Sequence, residues 1–279
     1  MARQETDAGK GWAVVTGASS GLGREFARAL ARRGHPVLAV ARRRDRLETL
    51  ATEVHRAGGR LEPLVADLST KAGIAALVER AASLEVELLV NNAGVAIYGP
   101  FATTDAERER ELVRLNVEAI IALTRALLPR MLDRGRGGVI NLASQMAFQP
   151  MPYFTAYAAS KAFVLSFSEA LAEELRGTGV RVTAIAPGFV NTEFARVAGS
   201  HEPERRFPHL DAPRVAETAL RAHDRGRTVK VVGPLYSFLT VAGRFAPRSF
   251  LRRVMGRTLR PARASADVAL TEREKEARE

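Results

Sequence analysis

Short apolar segments alternate with longer segments of helical periodicity along most of the chain, and this alternation limits the fold more than any other feature. In a parallel sheet each strand is buried on both faces and reads as an apolar run, and crossover helices join consecutive strands. The apolar runs lie at 13–16, 37–41, 61–65, 86–91, 139–142, 180–186 and 228–232. The helical segments lie at 21–33, 44–57, 71–83, 104–134, 153–177 and 213–225. The pattern predicts a doubly wound α/β domain, with a parallel sheet of about seven strands and helices on both faces.

The chain divides into a main domain and two terminal segments. Residues 11–235 contain no repeat, low-complexity segment or linker, so we interpret them as one domain. Residues 1–10 are predicted to form a flexible N terminus, and residues 236–279 a helical appendage with a charged tail. Residues 192–212 lack clear periodicity, and because long irregular insertions in compact domains are often lids, we predict a substrate lid there.

Two helix starts are marked by local signals. Thr104 and Glu107 have the spacing of a capping box, in which the Thr side chain caps the helix and the Glu side chain reaches back. Asp211 precedes Pro213, and Pro is favoured in the first turn of a helix. We therefore expect helices to begin at these two places.

Composition excludes several kinds of chemistry. The chain has no cysteine, which rules out thiolate catalysis, disulfides and cysteine-ligated zinc. Its five histidines have no spacing typical of a metal site, so we expect no metal. No apolar stretch reaches the roughly 18 residues of a spanning helix, and the first dozen residues lack the core of a secretory signal. We therefore expect a cytoplasmic protein that uses hydroxyls, amines, carboxylates or a bound cofactor.

The positive charge of the chain is concentrated in one short segment. The formal net charge is +11, and residues 244–263 alone hold seven arginines and no acidic residue. A basic surface attracts phosphate backbones, but the rest of the chain is only mildly basic. We therefore do not expect a nucleic-acid partner.

A glycine-rich turn follows the first predicted strand. Gly17, Gly21 and Gly23 have the spacing GxxxGxG and lead directly into a helix. Glycines allow a tight turn and close backbone approach, and a helix N-terminus offers unpaired N–H groups to a pyrophosphate. The position after the first strand favours a dinucleotide site over the alternative of a turn that binds nothing.

A tyrosine and a lysine lie four residues apart in a strongly helical segment. Tyr157 and Lys161 therefore share one helix face, and a nearby ammonium favours the phenolate and lowers the tyrosine pKa. Tyrosine then becomes a usable acid or base near neutral pH. A surface pair is the alternative, but Ser144 ends the fifth predicted strand and can offer its hydroxyl at the sheet edge where ligands bind.

Together these residues resemble the classical short-chain dehydrogenases/reductases. The resemblance spans roughly residues 11–235 and consists of the motifs at 16–23, Asp67-Leu68, 91–94, Asn116, Ser144, Tyr157 with Lys161, and Pro187-Gly188 followed by Thr192. It implies a Rossmann-type fold and an oxidoreductase that transfers a hydride between a nicotinamide cofactor and a carbonyl or alcohol.

The resemblance implies a catalytic tetrad of Asn116, Ser144, Tyr157 and Lys161. Tyr157 would protonate the carbonyl oxygen during reduction, and Ser144 would orient and polarise that oxygen. Lys161 would lower the pKa of Tyr157 and hold the nicotinamide ribose. Asn116 would position a water in the proton relay, a role that the resemblance alone implies.

The resemblance also implies the cofactor contacts. They are Gly17, Ser19, Ser20, Gly21, Leu22, Gly23, Asp67, Leu68, Asn92, Ala93, Gly94, Tyr157, Lys161, Pro187, Gly188, Val190 and Thr192. Asp67 would hydrogen-bond the adenine amino group, and the residues after the sixth strand would frame the nicotinamide. The pair Asn91-Asn92 has a structural role as its alternative.

The end of the second predicted strand indicates which cofactor is preferred. An NAD site usually places a carboxylate there, whereas the 2′-phosphate of NADP requires a cation. Ala41 occupies the acidic position and Arg42 follows it, so we predict NADP(H), with Arg42 as the main phosphate contact. The alternative is that these arginines only solvate a helix start, where their charge opposes the helix dipole.

Substrate contacts are expected from the loops after the fourth, fifth and sixth strands. The loop after the fifth strand is apolar and contains two methionines, a composition that suits adaptable hydrophobic binding. The predicted contacts are Ser144, Met146, Phe148, Met151, Tyr157 and Phe189. We predict an apolar ketone or secondary alcohol, with core packing as the alternative role of Met146, Phe148 and Met151.

Two further features bear on the substrate. The segment 12–50 is similar to a branch of the family that includes reductases of steroids and fatty acyl chains, which favours a lipid-like carbonyl. The predicted lid carries His201, Arg205, Arg206 and His209, so a substrate with an anionic group, such as one attached to a thioester carrier, remains an alternative. The alternatives to an oxidoreductase are a regulatory NADP-binding protein without turnover and an epimerase or dehydratase on the same fold.

Partner surfaces are expected in two places. In the family, helices such as 104–134 and 153–177 form a four-helix interface, so we expect a homodimer or homotetramer. Residues 247–260 are predicted to form an amphipathic helix, with Phe250, Leu251, Val254, Met255 and Leu259 on one face and arginines on the other. Such a helix can cover the pocket, pack on a neighbouring subunit or lie on an anionic membrane surface.

Overall fold

Seven parallel strands form one sheet in a computed structural model, which describes residues 10–199 and 207–261. The sheet order is β3-β2-β1-β4-β5-β6-β7. The strands are β1 Trp12–Thr16, β2 Val37–Ala41, β3 Leu61–Val65, β4 Val86–Asn91, β5 Gly137–Leu142, β6 Val180–Pro187 and β7 Val229–Val232. The predicted doubly wound α/β fold is confirmed, and each predicted strand is found within two residues of its expected bounds.

Helices connect the strands and cover both faces of the sheet. The α-helices are α1 Gly21–Arg32, α2 Arg44–Arg56, α3 Lys71–Ala82, α4 Ala106–Val113, α5 Ala119–Asp133, α6 Thr155–Glu174, α7 Phe194–Ala198, α8 Ala212–Asp224, α9 Pro234–Phe245 and α10 Arg248–Thr258. A π-helical segment, Arg114–Glu118, joins α4 to α5, and a short 3₁₀ helix, Gln145–Phe148, follows β5. The long helical segment predicted over 104–134 is therefore two α-helices with a π turn between them.

The apolar core forms two layers, one on each side of the sheet. Val15 of β1 packs in a layer with α1, α2 and α8, which contribute residues such as Phe26 and Leu220. Val14, the preceding residue, packs in the opposite layer with α3 and α5, including Leu123. Successive strand side chains point to opposite faces, so continuous apolar strands are what a sheet covered on both sides requires.

The sheet order places a crevice at the centre of one edge. The chain runs from β1 outward through β2 and β3, then returns so that β4 lies on the other side of β1. Loops at the carboxyl ends of β1 and β4 therefore diverge in opposite directions. In open α/β sheets, ligands bind in the crevice at this reversal.

The residue predicted to cap α4 is wrong, although the helix begins close to the predicted place. Asp105, and not Thr104, is the N-cap of α4, because its carboxylate accepts hydrogen bonds from the backbone N–H groups of Glu107 and Arg108 at 2.8 and 2.9 Å. The Thr104 hydroxyl instead donates to the Phe101 carbonyl at 3.1 Å. The other start is confirmed: Asp211 is the N-cap of α8, and a proline lies in its first turn.

Parts of the predicted lid and of the C-terminal appendage lie within the described residues. Within the predicted lid, residues 192–199 contain α7, and Leu210 forms an isolated bridge with Val190. Helix α9 begins two residues before the predicted boundary of the C-terminal appendage. Residues 1–9, 200–206 and 262–279, which include His201, Arg205 and Arg206, lie outside the described residues.

A buried histidine links α8 to the sheet. His223 Nδ1 lies 2.9 Å from the Thr183 hydroxyl on β6. Its ring fills the space beside Gly138 of β5, where an added Cβ would lie 2.1 Å from Nε2. Burial lowers the pKa of His223 to about 4, so the ring is neutral in the folded protein at neutral pH.

Because His223 has a lowered pKa, the folded protein is expected to lose stability in acid. Between pH 6.5 and 4 the unfolded chain binds a proton that the folded chain does not, so the free energy of unfolding is expected to fall by about 3 kcal/mol through this residue. Urea unfolding at several pH values measures the fall. A His223→Gln variant is expected to lose a smaller amount over the same range, and an identical loss would contradict this assignment.

Candidate active site

A cavity of about 380 Å³ opens in the crevice at the carboxyl ends of the strands. Its walls come from the glycine-rich loop, the ends of the strands from β2 to β6, and helices α6, α7 and α9. Every site residue predicted from the sequence lines this cavity, apart from Gly23, Asn116, Phe148 and Met151. The fold therefore brings together motifs that are spread over most of the main domain.

The glycine-rich loop has the backbone that its glycines permit. Gly17 and Gly21 have φ values of +69° and +53°, a region that side chains disfavour. Gly23 lies behind the loop, and an added Cβ there would be 2.3 Å from the Gly17 carbonyl oxygen. The α1 N-terminus, with Ser20 as its N-cap, opens on the cavity and can donate backbone N–H groups to a pyrophosphate.

Residues after β4 hold this loop in place. The Thr16 hydroxyl accepts hydrogen bonds from the backbone N–H groups of Asn92 and Ala93, both at 3.0 Å. The Asn92 side chain donates to the Thr16 carbonyl at 2.8 Å. Asn91 faces away and bonds Asn141 of β5 at 2.9 Å. Asn92 therefore shapes the dinucleotide site, whereas Asn91 ties neighbouring strands together.

Two arginines after β2 line the cavity, and they have different partners. Arg42 forms an ion pair with Glu111 at 2.8 Å. Arg43 donates hydrogen bonds to the Ser19 hydroxyl at 3.1 and 3.2 Å and to the Ser20 hydroxyl at 2.8 Å. Sequence reasoning selected Arg42 and missed Arg43, although Arg43 is the cation that contacts the glycine-rich loop.

An acidic residue of the lid segment also holds Arg43. Glu193 lies 3.2 Å from Arg43 and 2.7 Å from Arg46, and these two guanidinium groups lower the pKa of Glu193 to about 2. Arg43 therefore stands between the glycine-rich loop and the segment that precedes α7. An anionic group bound beside Ser19 and Ser20 would share this cation with Glu193.

Tyr157 and Lys161 are neighbours on α6, and both are buried at the cavity wall. The Lys161 ammonium lies 5.8 Å from the centroid of the Tyr157 ring and donates to the Leu142 carbonyl at 2.6 Å. Burial lowers the pKa of Lys161 to about 8, so the side chain remains largely cationic at neutral pH. The predicted pairing on one helix face is confirmed.

Ser144 lies two residues beyond the end of β5, where it caps the 3₁₀ helix. Its hydroxyl oxygen accepts a hydrogen bond from the Met146 N–H at 3.1 Å, which fixes the side chain. The hydroxyl hydrogen can still be donated. Ser144 and Tyr157 line the same cavity.

Asn116 lies behind the cavity wall, within the π turn. Its amide nitrogen donates to the Val95 carbonyl and to the Ser160 hydroxyl, both at 3.0 Å. Its amide oxygen accepts from the Val95 N–H at 3.0 Å. An added Cβ at Gly94 would lie 3.0 Å from this oxygen and 3.5 Å from the Lys161 ammonium. Asn116 therefore joins the segment after β4 to α6 close to Lys161.

Two predicted substrate contacts are not in the cavity. Phe148 packs with the apolar cluster of Ile120 and Val164, and Met151 is buried with Phe154. These positions favour the packing alternative for both, because the 3₁₀ helix and the turn after it direct the side chains into the core. Met146 and Phe189 do line the cavity, as predicted.

Two aromatic residues that were not named as predicted contacts complete the apolar wall: Phe194 lies in the predicted lid segment, and Tyr236 lies outside every segment expected to contact the substrate. Tyr236 of α9 lies against Gly188, where an added Cβ would meet its ring at 2.0 Å, and its hydroxyl donates to the Pro208 carbonyl at 2.7 Å. The Phe194 ring of α7 lies 5.7 Å from the Tyr157 ring. Helical periodicity does not place either side chain at the cavity, because each reaches it through packing between elements that are distant in the sequence.

Comparison with known proteins agrees with this arrangement. Residues 11–203 match the family model described as short chain dehydrogenase. The chain is 41% identical over 218 residues to a short chain dehydrogenase of Pseudocercospora fijiensis, which covers 74% of this chain and 71% of that protein. It is 32% identical over 217 residues to a very-long-chain 3-oxoacyl-CoA reductase of Anas platyrhynchos, which covers 76% and 67%.

Solved structures show the same fold. A short-chain dehydrogenase from Sphingobium yanoikuyae in complex with NADPH matches with a TM-score of 0.76 and 33% identity, over 87% of this chain and 95% of that one. A short-chain dehydrogenase/reductase from Burkholderia phymatum in complex with NAD matches with a TM-score of 0.78 and 26% identity, over 85% and 93%. The chain belongs to the short-chain dehydrogenase/reductase family and is an oxidoreductase.

Two other kinds of site are absent from the described residues. In the ranges 10–199 and 207–261, no helix combines the length and apolar character needed to cross a membrane. The same residues hold no group of three His, Asp or Glu side chains placed to bind a metal ion.

Proposed function

We propose that this protein is an NADPH-dependent reductase of apolar ketones that also catalyses the reverse oxidation of secondary alcohols. The observation that carries the proposal is the buried pair of Tyr157 and Lys161, which lies with Ser144 at the wall of a largely apolar cavity. The glycine-rich loop at the other end of the same cavity fits a dinucleotide. Bound NADPH supplies the hydride.

The chain's own residues manage the proton and the substrate oxygen. Tyr157 gives its phenolic proton to the carbonyl oxygen as the hydride arrives at the carbonyl carbon, while Ser144 donates a hydrogen bond to that oxygen. Lys161 stabilises the phenolate that remains, because a cation within several ångströms favours the charged form. Lys161, which lines the same cavity, would also hold the nicotinamide ribose.

Asn116 acts as a positioning residue in this scheme. Both donors of its amide are used by Val95 and Ser160, and Ser160 in turn donates to the Tyr157 carbonyl at 2.7 Å. Asn116 thus sets the register of α6 against the segment after β4. The water that family resemblance assigns to it remains a prediction.

The preference for NADPH rests on the two arginines after β2. Arg43 and the Ser19 and Ser20 hydroxyls form a positively charged site with hydrogen-bond donors at the edge of the cavity. Arg42 lies beside this site. A 2′-phosphate would gain charge-assisted hydrogen bonds there. No residue of β2 or its end supplies the carboxylate that a 2′-hydroxyl would need, since Ala41 occupies that position.

The walls around Tyr157 support an apolar substrate. Met146, Phe154, Phe189 and Phe194 contribute apolar surface, and such a pocket binds apolar chains and rings better than sugars. The similarity to a very-long-chain 3-oxoacyl-CoA reductase supports a lipid-like carbonyl. The substrate class proposed is therefore an apolar ketone, including steroid and acyl-chain carbonyls.

A homodimer or homotetramer fits the outer surface of the α4 and α5 region. Val113, Ile121 and Leu132 expose 43%, 40% and 36% of their surface to solvent. Phe163 and Phe167 stack on α6 with ring centroids 5.7 Å apart. Burial of such side chains between copies would contribute roughly 25 cal/mol per Å² of apolar surface.

The proposed activity can be tested with the purified protein and a panel of ketones. We expect NADPH oxidation with bulky apolar ketones and with 3-oxoacyl thioesters, and turnover that falls as polar groups are added near the carbonyl. Polyhydroxylated ketones of similar size serve as the matched control. Faster turnover of the polyhydroxylated ketones would refute the apolar assignment, and NADPH binding without oxidation of any ketone would favour the regulatory alternative.

A further inference from the structure

Helix α9 presents an apolar face to solvent. Its exposed side chains are Leu235, Phe238, Leu239, Val241 and Phe245, and the two phenylalanines expose 67% and 86% of their surface. At about 100° per residue these positions fall on one side of the helix. Tyr236 and Thr240 lie on the opposite side and are buried. The protein therefore covers one side of α9, and the other side presents apolar side chains to solvent.

The segment that carries this exposed face and the helix after it contain arginines and no acidic residue. Residues 233–261 contain six arginines and no aspartate or glutamate. Arg244 lies on α9, and Arg248, Arg252 and Arg253 lie on α10, all exposed. Phe250 of α10 adds another exposed apolar side chain, at 57%. We call the exposed residues of 235–253 the basic apolar surface.

Of the three roles left open for residues 247–260, the end of this segment takes the first, because it packs on the protein itself. Leu259 is fully buried, Met255 packs with the same cluster, and the Leu259 carbonyl accepts a hydrogen bond from the Tyr98 hydroxyl at 2.7 Å. The end of α10 therefore covers the protein beside the pocket. The exposed apolar side chains lie on α9 and at the start of α10 instead.

The positive charge of the basic apolar surface favours an anionic partner over a second copy of the same surface. A two-fold contact between copies would place the same patch on both sides, and so arginines against arginines. Aromatic and aliphatic side chains flanked by arginines instead match an anionic lipid surface, where the apolar groups enter the boundary and the cations meet headgroups. We propose that this surface docks the protein on the face of an anionic membrane.

Docking there would place the membrane close to the cavity. Tyr236, on the reverse side of α9, lines the cavity, and α9 also contacts the 3₁₀ helix that carries Met146. The membrane contact does not depend on the proposed ketone reduction. If that function also holds, apolar substrates dissolved in the lipid would lie next to the pocket.

Co-sedimentation with vesicles tests the proposal. The full-length protein is expected to sediment with phosphatidylcholine vesicles that contain phosphatidylglycerol, and to remain in solution with phosphatidylcholine alone. High salt is expected to release it, because exposed charges are screened. A Phe238→Ser/Phe245→Ser variant is expected to bind at least tenfold more weakly, with NADPH affinity and thermal midpoint unchanged.

Two variants that each remove two positive charges test whether the position of the arginines matters for vesicle binding. Arg248→Ser/Arg252→Ser is expected to weaken binding to anionic vesicles about thirtyfold, from two cations at the surface. Arg176→Ser/Arg225→Ser removes two exposed arginines elsewhere and is expected to bind like the unmodified protein. Equal weakening in both variants, failure of the full-length protein to bind anionic vesicles, or self-association that the phenylalanine variant abolishes would each overturn the proposal.

Discussion

A Tyr157→Phe variant is expected to lose roughly a hundredfold or more in turnover while binding NADPH almost as well as the unmodified protein. The substitution removes the phenolic proton but keeps the ring, which packs between Phe154 and Phe194 at centroid distances of 6.2 and 5.7 Å. Steady-state kinetics with an apolar ketone, beside titration of NADPH fluorescence, measure both quantities.

A Lys161→Ala variant is expected to differ from Tyr157→Phe in its affinity for NADPH. In the proposed mechanism the ammonium both stabilises the phenolate and binds the ribose, so its loss is expected to lower turnover and NADPH affinity together. If Tyr157→Phe keeps normal turnover, Tyr157 is not the proton donor. If Tyr157→Phe loses NADPH affinity as strongly as Lys161→Ala does, its effect is structural and the assignment also fails.

An Arg43→Ser variant is expected to weaken NADPH binding by about ten- to a hundredfold and to leave NADH binding nearly unchanged. The guanidinium group faces the Ser19 and Ser20 hydroxyls, and a charge-assisted hydrogen bond to phosphate contributes on the order of 1.5 to 3 kcal/mol. Dissociation constants for the two cofactors, measured by calorimetry, give the ratio directly.

Arg42→Ser distinguishes the two arginines. Arg42 is held by Glu111 at 2.8 Å, so its contribution to phosphate binding is expected to be smaller than that of Arg43. In the Arg42→Ser/Arg43→Ser variant, with Ala41→Asp added, preference is expected to shift to NADH. Equal affinity of the unmodified protein for both cofactors would contradict the proposed NADPH preference.

The sequence predicts those parts of the molecule that local chemistry determines. Strands buried on both faces read as apolar runs, and the spacing of Tyr157 and Lys161 gives their shared face wherever the helix lies. Whether Arg42 or Arg43 contacts the glycine-rich loop depends on the direction in which the chain leaves β2, which no periodicity reports. Residues such as Tyr236 reach the cavity from a distant helix, and long-range packing decides their position.

The same distinction explains the errors. Phe148 and Met151 lie in an apolar loop next to the site, so composition alone does not separate lining from packing. The short 3₁₀ helix after Ser144 turns Phe148 toward Ile120 and Val164. The capping box at Thr104 failed because Asp105, one residue later, is an equally good cap and has the geometry to reach two N–H groups.

The π turn at Arg114–Glu118 constrains how this chain can change its length. Helix α4 packs against α6, and α5 packs against β4 and β5, so both need their present faces. A π turn holds about one residue more than an α-helical turn, so removing one residue from it would restore regular helical winding while α4 and α5 kept their present faces. Asn116 would then leave Val95 and Ser160. A single-residue insertion or deletion within α4 or α5 would instead turn the residues beyond it by about 100° away from their present contacts, and is therefore expected to be far more damaging than most substitutions there.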